Sequence, residues 1–206
     1  MNAQAPLAQS FFARSALDVA RDLIGCTFLF HGAGGRIVET EAYRQDDPCC
    51  HGYRGQTARN AVLFGPPGHL YVYFTYGMHF CANMACEPEG TGAGVLLRAV
   101  VPEQGVGEMI ARRGAAEPRL LCSGPARLAQ ALGIGREQNG LPVWETPLAV
   151  LSRAASDEPG ARAPRIVATA RIGVSGGDRK PWRFVDADSR FLSRPLPRKG
   201  RPRTTA

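Results

Sequence analysis

Residues 70–83 read LYVYFTYGMHFCAN. Tyr71, Tyr73 and Thr75 alternate with Val72, Phe74 and Tyr76, which is the period of a strand. Gly77 then supplies a backbone free to turn before Phe80, Ala82 and Met84 resume the pattern. The stretch predicts a hairpin with Tyr76 at or near its tip. An aromatic ring there has little to pack against in its own sheet, so it is either shielded by another element or free to enter something else.

Upstream, Ser15 starts a helix whose apolar face is Leu17, Ala20, Leu23 and Ile24, with Asp18 completing a capping box and Gly25 as the stop. Cys26 to Phe30 reads as a strand, Gly32, Gly34 and Gly35 as a turn, and Arg36 to Tyr43 as the strand that pairs back. Glu39 and Glu41 on that strand share a face, roughly 6.6 Å apart. Like charges so placed need water or a basic partner. The segment RQDDPCCHGYRGQTARN is a polar loop, and Thr57 caps a short helix through Leu63. Downstream, Val95 to Val101 is an apolar strand interrupted by Arg98, which requires an anion or a route to solvent. A helix ends over Glu108 to Arg113, and Ser123 caps another with Pro125 in its first turn and Gly133 as its stop. Leu148 to Leu151 and Ile166 to Ile172 are strand-like, separated by a Ser/Pro/Gly-containing loop, and Arg179, Lys180 and Arg183 cluster around Trp182 beside a glycine-rich turn.

A chain of 206 residues, 44% of them apolar, forms one domain with a self-sufficient core. Residues 1–10 read as a flexible start, 11–193 as the domain and 194–206 as a basic tail. No run of about 18 apolar residues occurs and no signal peptide is legible, which points to a soluble cytoplasmic protein, nucleoid-associated if bacterial. Six cysteines follow neither zinc-site nor zinc-deaminase spacing and read as small buried thiols in a reducing compartment. Residues 1–160 carry 13 basic and 15 acidic groups, a net of −2, whereas residues 161–206 carry 12 and 3, a net of +9. Positive charge concentrated in the last quarter suits a phosphate-facing flank, or a solvated basic tail.

The candidate constellation is Glu41, Tyr43, His51, Tyr73, Tyr76, Asn83 and Arg98. Aromatic faces beside a carboxylate suit an enzyme that holds a flat, cationic ring while water attacks the attached carbon. A carboxylate can stabilise the oxocarbenium character of that step and take the water's proton. There is no G-x-S-x-G, and the two lysines, Lys180 and Lys199, both lie in the basic quarter, which favours hydrolysis by activated water over Schiff-base chemistry. A sugar-directed hydrolase using Glu39 and Glu41 is a poor fit, because neighbours on one strand cannot flank opposite faces of a sugar. A non-catalytic nucleic-acid binding protein would keep Tyr76 and the basic surface while having no use for Glu41.

GRIVETEAY, YVYFTYGMHFCAN, VLLRAV, LCSGPARLAQALGI and RKPWRF, in that order, closely resemble the motifs of the alkyladenine (3-methyladenine) DNA glycosylase family, over about Phe11 to Phe184. The resemblance implies one compact mixed α/β domain around a curved antiparallel sheet. It implies removal of alkylated purines, in some members also hypoxanthine and ethenoadenine, from duplex DNA approached through the minor groove. Neither cofactor nor metal is implied, and a monomer suffices. By the same resemblance Glu41 matches the general base, and Arg98 an arginine that orients the catalytic water or meets a phosphate. Tyr43, His51 and Tyr73 match the rings around the flipped base, Asn83 the residue that crowds a guanine amine, and Leu96 a pocket wall. Tyr76 matches the wedge that fills the vacated stack, and Arg179, Lys180 and Arg183 are expected near the DNA backbone. The loop before His51 is one residue shorter than in vertebrate members and carries PCC, which bears on how His51 is aimed.

Overall fold

A computed structural model describes residues 4–153, 163–174 and 179–196. The chain enters through two short helices, α1 (Gln9–Phe12) and α2 (Ala16–Asp22). Ser15 caps the second, its side chain accepting from the Leu17 N–H. Residues in the expected loose start touch the sheet edge: the Leu7 N–H donates to Val150 O and the Ser152 N–H to Ala5 O, both at 2.8 Å. Residues 1–3 lie outside the described residues.

Strands β1 (Thr27–Phe30) and β2 (Ala33–Tyr43) form a hairpin in which Phe30 faces Ala33. The turn is therefore His31–Gly32, with φ of 48° and 76°, the primed geometry whose twist suits a two-residue loop. Gly34 and Gly35, expected in the turn, stand inside β2 instead. A Cβ would lie 2.0 Å from the Phe28 carbonyl oxygen at Gly34 and 1.9 Å from the Val101 carbonyl oxygen at Gly35. Neighbouring backbones here come closer than any side chain permits. Gly35→Ala is expected to destabilise the fold by about 1–3 kcal/mol, read from urea unfolding, and an unchanged midpoint would refute the close approach.

The central hairpin is β3 (Leu70–Thr75) and β4 (His79–Ala85), with Thr75 opposite His79 and Tyr76, Gly77 and Met78 as its loop. It is followed by β5 (Gly94–Gln104), helices α3 (Val106–Arg113), α4 (Pro118–Leu121) and α5 (Pro125–Leu132), then β6 (Leu148–Leu151), β7 (Ile166–Thr169) and β8 (Arg183–Asp186). Eight strands make one antiparallel sheet, curled as a half-barrel, in the order β3-β4-β5-β2-β1-β6, with β8 against β2 and β7 against β8. Together with the helices it forms a single mixed α/β domain.

β2 is the strand that organises the rest. One edge pairs with β5 throughout, while the other pairs with β1 over its first half and with β8 over Glu39 to Glu41. Where the partner changes, the β2–β5 register slips twice. Ile37 faces Val100 and Glu39 faces Ala99, so Val38 is extra on β2; Thr40 then faces Leu97, so Arg98 is extra on β5. Bulges bend strands and re-aim side chains. The Arg98 carbonyl, released from the ladder, accepts from the Gly124 N–H at 2.9 Å, at the start of α5.

The core packs Phe12, Val19 and Leu23 from the helical entry with Phe28, Ile37, Leu97 and Val100 from the sheet and Leu128 and Leu132 from α5. Thr40 Oγ1 ties β2 to α2 by donating to the Ala20 carbonyl at 2.7 Å. Two helix starts differ from expectation. Gly124 and not Ser123 occupies the N-cap of α5, and Ser123 Oγ accepts from Arg127 instead. Thr57 closes a turn on Asn60 Oδ1, and the helical residues are a 3-10 turn over Ala61–Phe64. The loop over 154–162, the glycine-rich turn over 175–178 and the tail from 197 lie outside the described residues. Among the described residues, no helix is long and apolar enough to cross a membrane.

Candidate active site

The two bulges bring Glu39, Glu41 and Arg98 into one buried cluster. Arg98 Nε stands 3.2 Å from Glu39 Oε1 and its Nη1 3.1 Å from Glu41 Oε2, so the interrupting arginine and the paired acids satisfy one another. Glu39 is committed further: Oε1 also accepts from Arg183 Nε at 2.6 Å and Ser193 Oγ at 2.7 Å, and Oε2 from the Ser193 N–H at 2.6 Å. Both of its oxygens are thus held by fixed donors, an arrangement that supports the strand and suits a sugar hydrolase's second carboxylate poorly. Arg183 corrects an expectation. It is 3% exposed and bound to Glu39 and the Arg194 carbonyl, so it belongs to this buried cluster and not to a phosphate-facing surface.

Glu41 keeps more freedom. Its Oε1 accepts from the Ile172 N–H at 2.8 Å, and its Oε2 from the Tyr43 hydroxyl at 2.8 Å as well as from Arg98. A carboxylate has about four acceptor sites, so three donors leave one for a water. Burial pushes the Glu41 carboxyl above its ordinary value, and Arg98, the Ile172 N–H and the Tyr43 hydroxyl offset this only in part. A carboxylate raised in this way is a stronger base than one in water.

Beside this cluster opens a cavity of about 500 Å³ lined by Tyr43, His51, Tyr71, Tyr73 and Asn83, with Tyr76 at its rim. His51 and Tyr73 make an edge-to-face contact, ring centroids 4.4 Å apart, and form one wall. His51 Nδ1 is 3.0 Å from the Tyr71 hydroxyl, which fixes the ring despite the short PCC loop. Desolvation against those rings, with a smaller push from Arg59, lowers the His51 pKa and keeps the imidazole neutral at neutral pH. Asn83 is anchored by donating to the Tyr71 carbonyl at 3.1 Å. Leu96 is opposite both Glu41 and Asn83 in register, which puts it on their face of the sheet, buried and outside the cavity lining.

Tyr76 sits at the loop of the central hairpin with φ of 50° and is 83% exposed. A bulky residue in the left-handed region is strained. Nothing in its own sheet covers the ring. Arg179 is exposed, and Lys180 lies half-buried with Nζ 4.5 Å from the Trp182 ring and 3.7 Å from Asp47. Sequence reasoning left out Tyr71, although its two-residue spacing from Tyr73 was the signal, and the Ile172 N–H and Ser193, for which a long-range contact leaves no local signal. All six cysteines are free thiols. Among the described residues, no group of three or more His, Cys, Asp or Glu is placed to hold a metal ion.

A half-barrel sheet that holds a buried carboxylate behind a ring-walled cavity, with an exposed aromatic at the rim, has the architecture of a DNA glycosylase. Residues 10–190 match the model of the methylpurine-DNA glycosylase family, and the chain belongs to that family. Among its relatives, a protein of Rhodopseudomonas palustris is 54% identical over 192 residues, covering 93% of this chain and 90% of its own. Proteins of Nitrosospira multiformis and Rhizobium meliloti are each 50% identical, covering 90% and 89% of this chain and 92% and 94% of theirs. All three bear the provisional name 3-methyladenine DNA glycosylase.

Proposed function

We infer that this protein, through one domain over residues 11–193, hydrolyses the N-glycosidic bond of alkylated purines such as 3-methyladenine and 7-methylguanine in duplex DNA. The observation that carries the reading is the continuity of Tyr76, the ring-walled cavity and Glu41. A base extruded by the exposed ring meets the cavity directly, and its sugar then lies beside the buried carboxylate. The protein binds as a monomer from the minor-groove side, with Arg179 and Lys180 near phosphates. Tyr76 fills the vacated stack, offsetting a cost of a few kcal/mol. Tyr43 faces one side of the base, His51 and Tyr73 the other, and Asn83 crowds a guanine amine, with Leu96 backing the wall.

Glu41 and Arg98 orient a water against C1′. As the bond from C1′ to the base breaks, the water oxygen bonds C1′ and its proton passes to Glu41. The base departs with the bonding electron pair. A cationic methylated purine leaves neutral and needs no proton, whereas hypoxanthine or ethenoadenine leaves as an anion unless protonated.

The test is base release from otherwise identical duplexes containing 7-methylguanine, hypoxanthine or no lesion, with EDTA present. Release of 7-methylguanine and none from undamaged duplex is expected. Lesion binding without release from any duplex would move the reading to a non-catalytic damaged-DNA binding protein. Tyr76→Ser is expected to slow release from paired lesions by about 10²-fold, the rate equivalent of a few kcal/mol, and to leave release from single strands nearly unchanged. Equal losses on both substrates would remove the wedge role.

A further inference from the structure

We propose that the outer face of the central hairpin is a second nucleotide site, which takes the nucleotide opposite the lesion, its base against Phe74 and its phosphate against Arg59 and Arg136. The inference rests on the glycosylase reading above. Side chains alternate along β3, so Thr75 lines the base cavity while Phe74 leaves the other side of the sheet. There it lines a separate cavity of about 780 Å³ together with Phe80, Arg59, Arg136 and Asn139, and Tyr76 lines both cavities. Phe80 stands opposite Phe74 in register and backs it, ring centroids 4.9 Å apart. Phe74 is nonetheless 38% exposed. A ring backed on one side and open on the other is a platform on which a base can stack.

The charged and amide groups beside this platform are donors. Arg59 Nη2 donates to the Phe74 carbonyl at 3.1 Å, which holds the guanidinium beside the ring and leaves its other N–H groups for a ligand. Arg136 is exposed at the start of a 3-10 turn, Arg136–Gln138. Asn139 Oδ1 accepts from the Val72 N–H at 2.9 Å, so its amino group remains to donate. No acid lines the cavity, and among the described residues neither arginine is in an ion pair. Two such guanidiniums beside an open aromatic ring suit a phosphate attached to a flat base. The choice of strand follows from the wedge. A groove has two walls, one from each strand. With Tyr76 in the minor groove, the hairpin face that opens on the base cavity meets the lesion strand, and the opposite face meets the complementary strand. Extruding the lesion leaves its partner unpaired, which lowers the cost of drawing that nucleotide out in turn. The hairpin then stands between two displaced nucleotides, and the lesion returns to the stack less readily.

The experiment measures binding, by the Glu41→Gln protein, of duplexes that carry 7-methylguanine opposite either cytosine or a baseless tetrahydrofuran nucleotide. Adding Phe74→Leu, which keeps an apolar side chain over Phe80, is expected to weaken the cytosine duplex about tenfold, the loss of one base–aromatic stack, and to leave the baseless duplex unchanged. With Glu41 intact, Phe74→Leu is expected to release 7-methylguanine from a single strand at the wild-type rate, since no complementary strand is there to lose. Arg136→Gln, on an exposed turn, is expected to weaken both duplexes and to lower the slope of log affinity against log salt by about one, and it serves if Phe74→Leu does not fold. Equal weakening of both duplexes by Phe74→Leu, slower release from the single strand, or an unchanged salt slope in Arg136→Gln would overturn the proposal. If the Glu41→Gln parent binds the modified cytosine duplex no better than an undamaged one, the glycosylase reading itself fails.

Discussion

Glu41→Gln is expected to lower release of 7-methylguanine from duplex DNA by about 10³-fold, within the range contributed by a positioned general base. Lesion binding should survive. The glutamine oxygen can still accept from the Ile172 N–H, and its size keeps Tyr43 in place. What it loses, under the proposed mechanism, is the basic site that takes the water's proton. Single-turnover kinetics with saturating enzyme separates the two steps, and turnover at the wild-type rate would take the proton-transfer role away from Glu41. The wild-type pH profile provides an independent check. Burial raises the Glu41 pKa, so the ionised base is lost as pH falls through a value above that of an ordinary glutamate. Activity should therefore decline on the acid side at a higher pH than an exposed carboxylate would give, and the variant's residual activity should lack that limb.

The second large effect is on stability. Arg98→Met removes the cation shared by two fully buried carboxylates. Glu39 retains Arg183 and Ser193, but Glu41 is left with two neutral donors. Breaking a buried pair from one side costs about 3–5 kcal/mol, mostly because the remaining charge stays out of water. The pH dependence follows from the sign of the shift. With its counter-charge gone, Glu41 has a folded-state pKa higher still, so the fold binds a proton more tightly than the unfolded chain. Stability linked to that proton is present at low pH and lost as pH rises through the folded value. The gap between wild type and Arg98→Met, from urea midpoints, should be widest at neutral pH and shrink towards acid. A gap that widened in acid would place the uncompensated charge elsewhere.

Gly35→Ala and Tyr76→Ser test different levels of the molecule. The glycine is a demand of sheet geometry, where a carbonyl oxygen occupies the space of a Cβ. The tyrosine is a departure from ordinary folding economy, a large exposed ring at positive φ that contributes little to its own hairpin. Features that cost a fold stability without returning packing are where function concentrates.

The alternation of LYVYFT and HFCANMA was enough to place β3, β4 and the Tyr76 tip, since strand period and turn chemistry are local properties. The same two-residue period put Glu39 and Glu41 on one face, and an arginine among apolar residues announced a buried anion. The ordered motif blocks then identified the family. Tertiary structure decides which partners each of these charges meets. Glu39 is committed by Arg183, 144 residues away, and by Ser193, 154 residues away, while Glu41 is steadied by Ile172 across 131 residues. The bulges at Val38 and Arg98 fall where β2 changes partner midway, a change that no local pattern encodes. Arg183, in a basic run that reads as surface, is buried because its strand pairs with β2 at Glu41. Local periodicity fixes which way a side chain leaves its own strand; the distant strands that close around it decide its partners and its access to water.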